Sequence, residues 1–345
     1  MLEVLTPGLL DTVQDAGRPD AADMGVPAGG ACDPWSMAVA NLMHGNAPGA
    51  PVVEVTLQGP VLAVRETCTL GLAGADLGAI VREEHRPLAI GLVHQLWAGT
   101  TVAFGAPAGQ GCRAYLSLAG GIDVPLVLGS ASTCLVGAFG GIDGRPLRPG
   151  DVLRPARQED VSAAGTAWPA DGGLGPGSLV EAKAGAHIRV VPGPHAERLG
   201  APALEALTGA EWRVESESNR MGVRLSPTSE GLRGQPGRNT GELLSFGVVW
   251  GAIQLPPDGR PIVLMADHQT VGGYPVPACV ITADHHAIGQ LAPGDSVRFV
   301  VVSIQQAQLL YREHRASMRA AIAELARTST WDEAWRDAGG YVTRP

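Results

Sequence analysis

Short apolar stretches separated by turn residues are the dominant pattern along the chain. The clearest example runs from Val248 to Leu255, which is apolar except for Gln254, and returns from Pro261 to Met265 after the turn residues Pro256 to Gly259. Proline presets φ at a turn and Asp-Gly supports the chain reversal, so this segment predicts a β-hairpin. Four polar residues and two glycines follow at once. They fit either the rim of a binding pocket or an ordinary polar loop, and the pattern leaves both interpretations open.

Helical periodicity is confined to a few segments. Asp33 is a good N-cap residue and Pro34 suits the first helical position, so a helix is predicted from Trp35 to about Met43. A second, amphipathic helix is predicted over Ser303–Arg327, and a short one beginning at Trp331. The domain organisation predicted from these patterns is an N-terminal β-barrel half over 1–155, a linker over 156–186, a C-terminal β-barrel half over 187–302 and a helical tail over 303–345.

An internal repeat supports two related halves. The segment GGIDVP at 120–125 matches GGYPVP at 272–277, and each is followed by an apolar run and then Pro-Gly-Asp, at 149–151 and 293–295. Two such pairs in the same order indicate duplication of a β-rich unit. The fold class predicted from the residues is therefore mainly β, with two related barrel-like halves and a C-terminal helical extension.

Composition excludes several classes of protein. The 345 residues include 47 Gly and 27 Pro, which favours many short strands over a helical fold. The formal net charge is −9 and no basic run is present, which argues against nucleic acid as a partner. The five cysteines are scattered and form no CxxC pair, which argues against a zinc site or a disulfide framework. No signal peptide and no apolar run of membrane-spanning length is seen, so we expect no membrane association and a cytoplasmic location.

The motifs of common enzyme classes are missing from the sequence. There is no GxxxxGK[ST] phosphate loop, no GxSxG element and no biotinylation segment. His268, Asp284, His285 and His286 could be imagined as metal ligands, but adjacent histidines in a strand point to opposite faces, so no metal site is predicted. What remains is a set of polar residues beside glycines, in which arginines suit a carboxylate and amides suit a carbonyl or ureido group. If these residues instead stabilise the fold, Glu54 would form an ion pair with Arg65, and Arg220 with Glu217.

Several ordered segments resemble one known family. They include GLLDTVQD at 8–15, GVP at 25–27, ANL at 40–42, EVT at 54–56, SNRMG at 218–222 and the region from Gln254 to Pro275. This pattern resembles the allophanate hydrolase subunit 2 family, also called the KipA-like or biotin-dependent carboxyltransferase family, and covers about Met1 to Val301. Asn219 and His268 depart from the Asp and Arg that the resemblance leads us to expect, which puts the choice of substrate in doubt.

The resemblance implies a cyclophilin-like β-barrel and a partner protein. The partner is a KipI-like subunit 1, which is the B-subunit of an ATP-dependent 5-oxoprolinase and acts with an A-subunit. The chain most resembles the C-subunit of such an enzyme, which helps to activate 5-oxoproline for hydrolysis to glutamate, with ATP shared with the partner. The alternatives are a carboxyltransferase that moves CO2 from carboxybiotin to urea or a similar amide, with biotin not attached to this chain, and a non-catalytic regulatory subunit of KipA type.

The residues expected to carry the function are polar residues of the segments discussed above. The candidate catalytic residues are Asp267, Gln254 and Gln269. The candidate residues for binding a small-molecule amide substrate are Asp15, Arg18, Asn41, Arg113, Tyr115, Arg220, Thr270, Gly272, Gly273 and Tyr274.

Overall fold

The computed structural model describes residues 1–158, 163–169, 186–228 and 243–328, and shows a mainly β protein. The chain divides into two compact units. The first comprises the described parts of Met1–Gly17, Asp33–Val180 and His314–Pro345, and the second those of Arg18–Cys32 and Glu181–Glu313. Both units are discontinuous in sequence, whereas the predicted halves and tail are continuous ranges. The predicted linker at 156–186 and the predicted helix at Trp331 lie largely or wholly outside the described residues.

The described residues of the first unit form two sheets and one complete helix. Its elements are β1 (Leu2–Thr6), β2 (Leu10–Gln14), α1 (Pro34–Met43), β3 (Val52–Thr56), β4 (Val61–Val64), β5 (Cys68–Gly74), β6 (Ile80–Val81), β7 (Arg86–Pro87), β8 (Leu92–Leu96), β9 (Thr101–Ala103), β10 (Arg113–Ser117) and β11 (Val152–Leu153). One sheet has the order β11-β1-β4-β9-β6-β7 and the other β2-β3-β10-β5-β8. Their apolar side chains form one core, which includes Val4, Val55, Leu70 and Leu116.

The second unit is a closed seven-stranded barrel with a small ribbon. Its elements are β12 (Ala186–Pro192), α2 (Ala196–Leu199), α3 (Ala201–Gly209), β13 (Glu211–Val214), β14 (Gly222–Pro227), β15 (Phe246–Gly247), β16 (Ala252–Gln254), β17 (Ile262–Leu264), β18 (Val271–Gly272), β19 (Ala278–Val280), α4 (His285–Gly289) and β20 (Ser296–Val301). The barrel order is β12-β19-β16-β17-β14-β13-β20, and the parallel pairing of β12 with β20 closes it. Strands β15 and β18 form the ribbon.

The structure confirms the mainly β fold class, the barrel and the C-terminal helix, α5 (Ile304–Thr328). It also confirms the two other strong local predictions. The carboxylate of Asp33 caps α1 by accepting from the backbone N–H groups of Trp35 and Ser36. Strands β16 and β17 pair antiparallel in the register Gln254↔Ile262, as the predicted hairpin requires.

The two Pro-Gly-Asp segments adopt the same turn. Gly150 and Gly294 have φ of 90° and 94°, in the left-handed region that favours glycine. The N–H of Gly150 donates to Val4 O and that of Gly294 to Val214 O. Each following aspartate accepts from the backbone N–H three residues earlier, Asp151 from Arg148 and Asp295 from Ala292. The repeated sequence therefore has a repeated local structure, which supports the relation between the halves.

The repeated Gly-Gly segments differ. Gly120 and Gly121 have φ of 75° and 90°, whereas Gly272 lies in strand β18 and neither Gly272 nor Gly273 has a positive φ. Gly272 is thus part of an extended strand, where a glycine is favoured by close contact with a neighbour rather than by backbone conformation.

Candidate functional site

The loop that follows β17 gathers several of the predicted residues of the second unit. Residues 265–270 connect barrel strand β17 to ribbon strand β18. Asp267 and His268 are buried, Gln269 and Thr270 are half-buried, and Tyr274, which follows β18, is 44% exposed. Gln254, at the end of β16, lies beside this loop, because Gln269 Nε2 donates to Gln254 Oε1 at 3.3 Å. The hairpin therefore places two carboxamides together where the barrel meets the ribbon.

A buried ion pair fixes the start of this loop. Arg220 Nε and Nη2 donate to the two carboxylate oxygens of Asp267, at 2.8 and 2.9 Å, and both side chains are almost completely buried. Such a bidentate pair has a defined geometry as well as favourable electrostatics. Arg220 Nη2 also donates to Gly30 O at 2.7 Å, and Nη1 contacts Cys32 Sγ at 3.3 Å.

Arg220 thus joins the 29–32 segment to the loop, and the N–H of Gly29 donates to Ala266 O beside it. The sequence predicted Arg220 as a substrate ligand and Asp267 as a catalyst. The structure shows that they form an ion pair that joins the 29–32 segment to the loop, which we call the Arg220–Asp267 clamp. Direct contact of either residue with a substrate stays a prediction.

His268 is held in one tautomer. Its Nδ1 lies 2.6 Å from the carbonyl oxygen of Gln269, and because a carbonyl only accepts, Nδ1 carries the hydrogen. Burial lowers the pKa of His268, although the contact with Gln269 O and the nearby Asp267 oppose this. The lowered pKa favours the neutral ring, in which Nδ1 carries the hydrogen and Nε2 the lone pair.

In the first unit, one face of the five-stranded sheet carries polar side chains. Cross-strand partners share a face, so Thr12, Glu54 and Tyr115 lie side by side on β2, β3 and β10. Tyr115 Oη donates to Glu54 Oε2 and accepts from the N–H of Asp33, both at 2.8 Å. Arg113, two residues before Tyr115, has its Nε 3.7 Å from Glu54 Oε1. This face thus brings together predicted residues Arg113 and Tyr115 around a buried carboxylate.

The remaining predicted residues lie in separate networks. Asp15 accepts hydrogen bonds from Ser130 Oγ, Ser132 Oγ and the N–H of Ala131, so it holds a loop of the first unit. Asn41 Nδ2 donates to Ala50 O at 2.8 Å and so fixes the chain that follows α1. Arg18 is buried in the second unit, where its N–H donates to Ala28 O. Substrate contact by these three residues stays a prediction.

Sequence reasoning missed some members of both clusters. Gly30 and Cys32 were not connected with Arg220, since nothing local indicates a partner that far along the chain. The polar face of the sheet did leave a signal. Polar residues recur at alternate positions, Thr12 and Gln14 in LDTVQ, Glu54 and Thr56 in VVEVT, and Arg113, Tyr115 and Ser117 in RAYLS, which places each set on one face of its strand.

Two absences apply to the described ranges alone. They hold no group of three or more His, Cys, Asp and Glu side chains arranged to bind a metal ion. Nor do they contain a helix with the length and apolar character needed to cross a membrane.

The chain belongs to the family described as carboxyltransferase domain, subdomain A and B, whose model matches residues 24–301. Among its relatives is the C-subunit of the 5-oxoprolinase of Escherichia coli (strain K12), which is 35% identical over 311 residues, covering 89% of this chain and 93% of that protein. A urea amidolyase of Lachancea kluyveri is also 35% identical over 92% of this chain, but the match spans only 18% of that protein.

The fold is also found in a larger solved structure. The Kluyveromyces lactis urea carboxylase superposes with a TM-score of 0.78 and 30% identity, covering 93% of this chain and 29% of that one. The chain therefore spans less than a third of the urea carboxylase that it resembles, whereas it spans nearly all of the 5-oxoprolinase C-subunit.

Proposed function

We propose that this chain is the C-subunit of a 5-oxoprolinase. One observation carries the proposal: the chain matches a 5-oxoprolinase C-subunit over 93% of that protein's length, whereas the urea amidolyase that it matches equally well in identity is more than five times as long as the matched region. The match therefore covers almost all of the C-subunit but only one part of the larger urea amidolyase.

The chemistry of the loop in the second unit is compatible with this proposal. The substrate, 5-oxoproline, is a five-membered lactam with a carbonyl oxygen, an N–H and a carboxylate. The carboxamides of Gln254 and Gln269 offer donors and acceptors that match a lactam without adding charge. The Arg220–Asp267 clamp holds the loop that carries Gln269, and pre-organisation of this kind lowers the cost of binding.

The proposal includes partners and a co-substrate. The chain would act with a KipI-like B-subunit and with an A-subunit, and ATP would supply the driving force for activating the lactam. Because the sequence holds no phosphate-binding loop, we assign nucleotide binding mainly to the partner and substrate recognition to this chain. A subunit of an enzyme that depends on cellular ATP would act in the cytoplasm, which is the location expected from the sequence.

A second candidate is a carboxyltransferase that acts on urea or a similar amide. The superposition with urea carboxylase and the description of the matched family favour it. Urea and 5-oxoproline share an amide-type carbonyl and N–H but differ in the ring and the carboxylate. The two candidates therefore differ in the substrate and in the need for carboxybiotin.

The test is an activity assay on the chain co-purified with its KipI-like partner and the A-subunit. We expect ATP hydrolysis and glutamate release that depend on 5-oxoproline and cease when this chain is omitted. A Gln269→Ala variant should lower this activity, whereas Gln58→Ala, which alters an exposed glutamine of the first unit, should not. ATP turnover that ignores 5-oxoproline, with carboxylation of urea once carboxybiotin is supplied, would instead establish the second candidate.

A further inference from the structure

The carboxamide of Gln254 has an unused hydrogen-bond donor. Gln254 is 3% exposed, and its Nε2 is buried with no acceptor among the described residues. A buried donor without an acceptor has lost its hydration without gaining a hydrogen bond in return, so such groups are uncommon in folded proteins. Gln269 Nε2 donates to Gln254 Oε1 at 3.3 Å, and in this arrangement Gln254 Nε2 faces away from Gln269. The donor is therefore buried but left unsatisfied.

Gly272 lies directly against this donor. A Cβ atom built on Gly272 would be 2.3 Å from Gln254 Nε2 and 3.2 Å from Val248 Cγ1, so any side chain there would force the amide to move. Because Gly272 has no positive φ, the glycine is favoured by this contact and not by the backbone. Gly247, its neighbour on the other ribbon strand, has nothing within 4 Å of the corresponding position. Of these two glycines, only Gly272 makes room for the Gln254 amide by lacking a side chain.

The strand that covers the amide is weakly held. Two residue pairs, Phe246↔Gly272 and Gly247↔Val271, make up the ribbon. Thr270 O accepts from the N–H of Val248 on one side, and Pro275 O accepts from that of Leu255 on the other, so the residues between 270 and 275 form a short segment between two anchors. Val271 and Tyr274 are largely exposed. Few buried contacts and few backbone hydrogen bonds allow local opening at small cost.

Apolar side chains lie beside the amide. Val248, Ala252, Leu264 and Val276 form a small buried cluster, against which the ring of Phe246 packs. A single polar donor at the edge of an apolar surface suits a carbonyl oxygen that is carried on an apolar ring.

We propose that Gln254 Nε2 and the backbone at Gly272 form a binding site for the carbonyl oxygen of a cyclic amide, a lactam or a cyclic urea. The segment 271–274 moves off the amide, the carbonyl oxygen accepts from Nε2, and the ring methylenes contact the Val248 cluster. This inference rests on the proposed function, since it identifies Gln254 as the residue that would hold the lactam carbonyl. It also makes Gly272 a determinant of binding.

The experiment is titration of the full chain by calorimetry with 2-pyrrolidinone, 5-oxoproline and imidazolidin-2-one, with tetrahydrofuran as an uncharged five-membered ring that lacks the carbonyl. The three carbonyl compounds should bind and tetrahydrofuran should not. Gln254→Leu removes the donor and keeps the approximate shape, and we expect it to weaken binding at least tenfold. Gly272→Ala should do the same, whereas Gly247→Ala should bind like the unaltered chain.

A double variant separates the donor from a general effect on the ribbon. If Gly272→Ala acts by displacing the Gln254 amide, adding it to Gln254→Leu should cause no further loss of affinity. Equal affinities of the unaltered chain and Gln254→Leu, equal losses from Gly272→Ala and Gly247→Ala, or no binding of any carbonyl compound would overturn the inference.

Failure of this inference can be distinguished from failure of the proposed function. Lactam binding that depends on Gln254, in a chain whose complex shows no 5-oxoproline-dependent ATP hydrolysis, would contradict the function and keep the site. Activity on 5-oxoproline with an unchanged KM in Gln254→Leu would keep the function and contradict the site.

Discussion

Asp11 is a buried carboxyl group that should make the stability of the protein depend on pH. It lies in β2 with 1% exposure. Its Oδ2 accepts from the N–H of Gly8 at 2.5 Å, whereas Oδ1 has no hydrogen-bond partner in the described part of the chain. Burial raises the pKa of Asp11 from 3.8 to about 6, although the bond from Gly8 opposes the shift.

The raised pKa of Asp11 gives the size of the expected effect on the free energy of unfolding. The pKa of Asp11 is higher in the folded protein by about 2 units, and each unit is worth about 1.4 kcal/mol, so ionising Asp11 costs the folded state about 3 kcal/mol. The folded state holds the proton more tightly than the unfolded chain does. The contribution to stability is therefore fully present below about pH 4 and is lost as the pH rises through about 6, with roughly 1.3 kcal/mol of the change falling between pH 5 and pH 7.

The perturbation is Asp11→Asn, which has nearly the same shape and stays neutral. We expect the free energy of unfolding of Asp11→Asn, relative to the unaltered protein, to rise by roughly 1 kcal/mol or more between pH 5 and pH 7. Urea unfolding followed by fluorescence at matched pH values measures this difference. Asp123→Asn, which alters an exposed aspartate, should give a flat difference. Parallel stability curves for Asp11→Asn and the unaltered protein would refute the reasoning.

Three further predictions concern other buried groups. Arg220→Met leaves Asp267 as a buried unpaired charge and should cost about 3–5 kcal/mol of stability, measured by thermal unfolding. The double variant with Asp267→Leu should lose less stability, and a larger loss in the double variant would contradict this. Tyr115→Phe removes the hydrogen bonds of Tyr115 Oη with Glu54 and with the N–H of Asp33. It should cost about 1–3 kcal/mol in thermal unfolding, unlike the same change at the exposed Tyr274. Burial lowers the pKa of His44 to about 3, so its 15N signals should report one neutral tautomer from pH 5 to pH 8, and a titration in that range would disprove it.

Features set by neighbouring residues were predictable from the sequence. The α1 cap needs only Asp33 and the residues that follow it. The β16–β17 hairpin is encoded by two apolar runs around a turn, and the duplicated Pro-Gly-Asp segments share one turn because its hydrogen bonds are mostly local. Local interactions leave a pattern in consecutive residues, which is why these predictions are confirmed.

Partners that are distant in sequence were not predictable. Sequence proximity suggested pairing Glu54 with Arg65, but Arg65 pairs with Glu3 on the neighbouring strand. Arg220 pairs with Asp267 and not with Glu217, because the pleat and register of the strands decide which side chains meet. Such choices depend on strand order, which composition and periodicity do not specify.

The sequence predicted which residues form the candidate site, but not which of their hydrogen-bonding groups lack partners. The polar loop after β17 marked Gln254, Gln269 and Gly272 from the sequence alone. Gln254 Nε2 lacks an acceptor among the described residues, and Gly272 makes room for it. Both observations depend on interatomic distances of a few ångströms, which the sequence does not give. Only the assembled barrel and ribbon reveal them.

The hydrogen bond from Arg220 to Gly30 has a consequence for biosynthesis. The two residues are 190 positions apart, so at roughly 5–20 residues per second the ribosome needs about 10–40 s to make Arg220 after it has made Gly30. Throughout that interval the 18–32 segment is exposed without the barrel that it belongs to. A nascent chain stalled before Arg220 should therefore leave this segment open to proteolysis, and release of the full-length polypeptide should protect it.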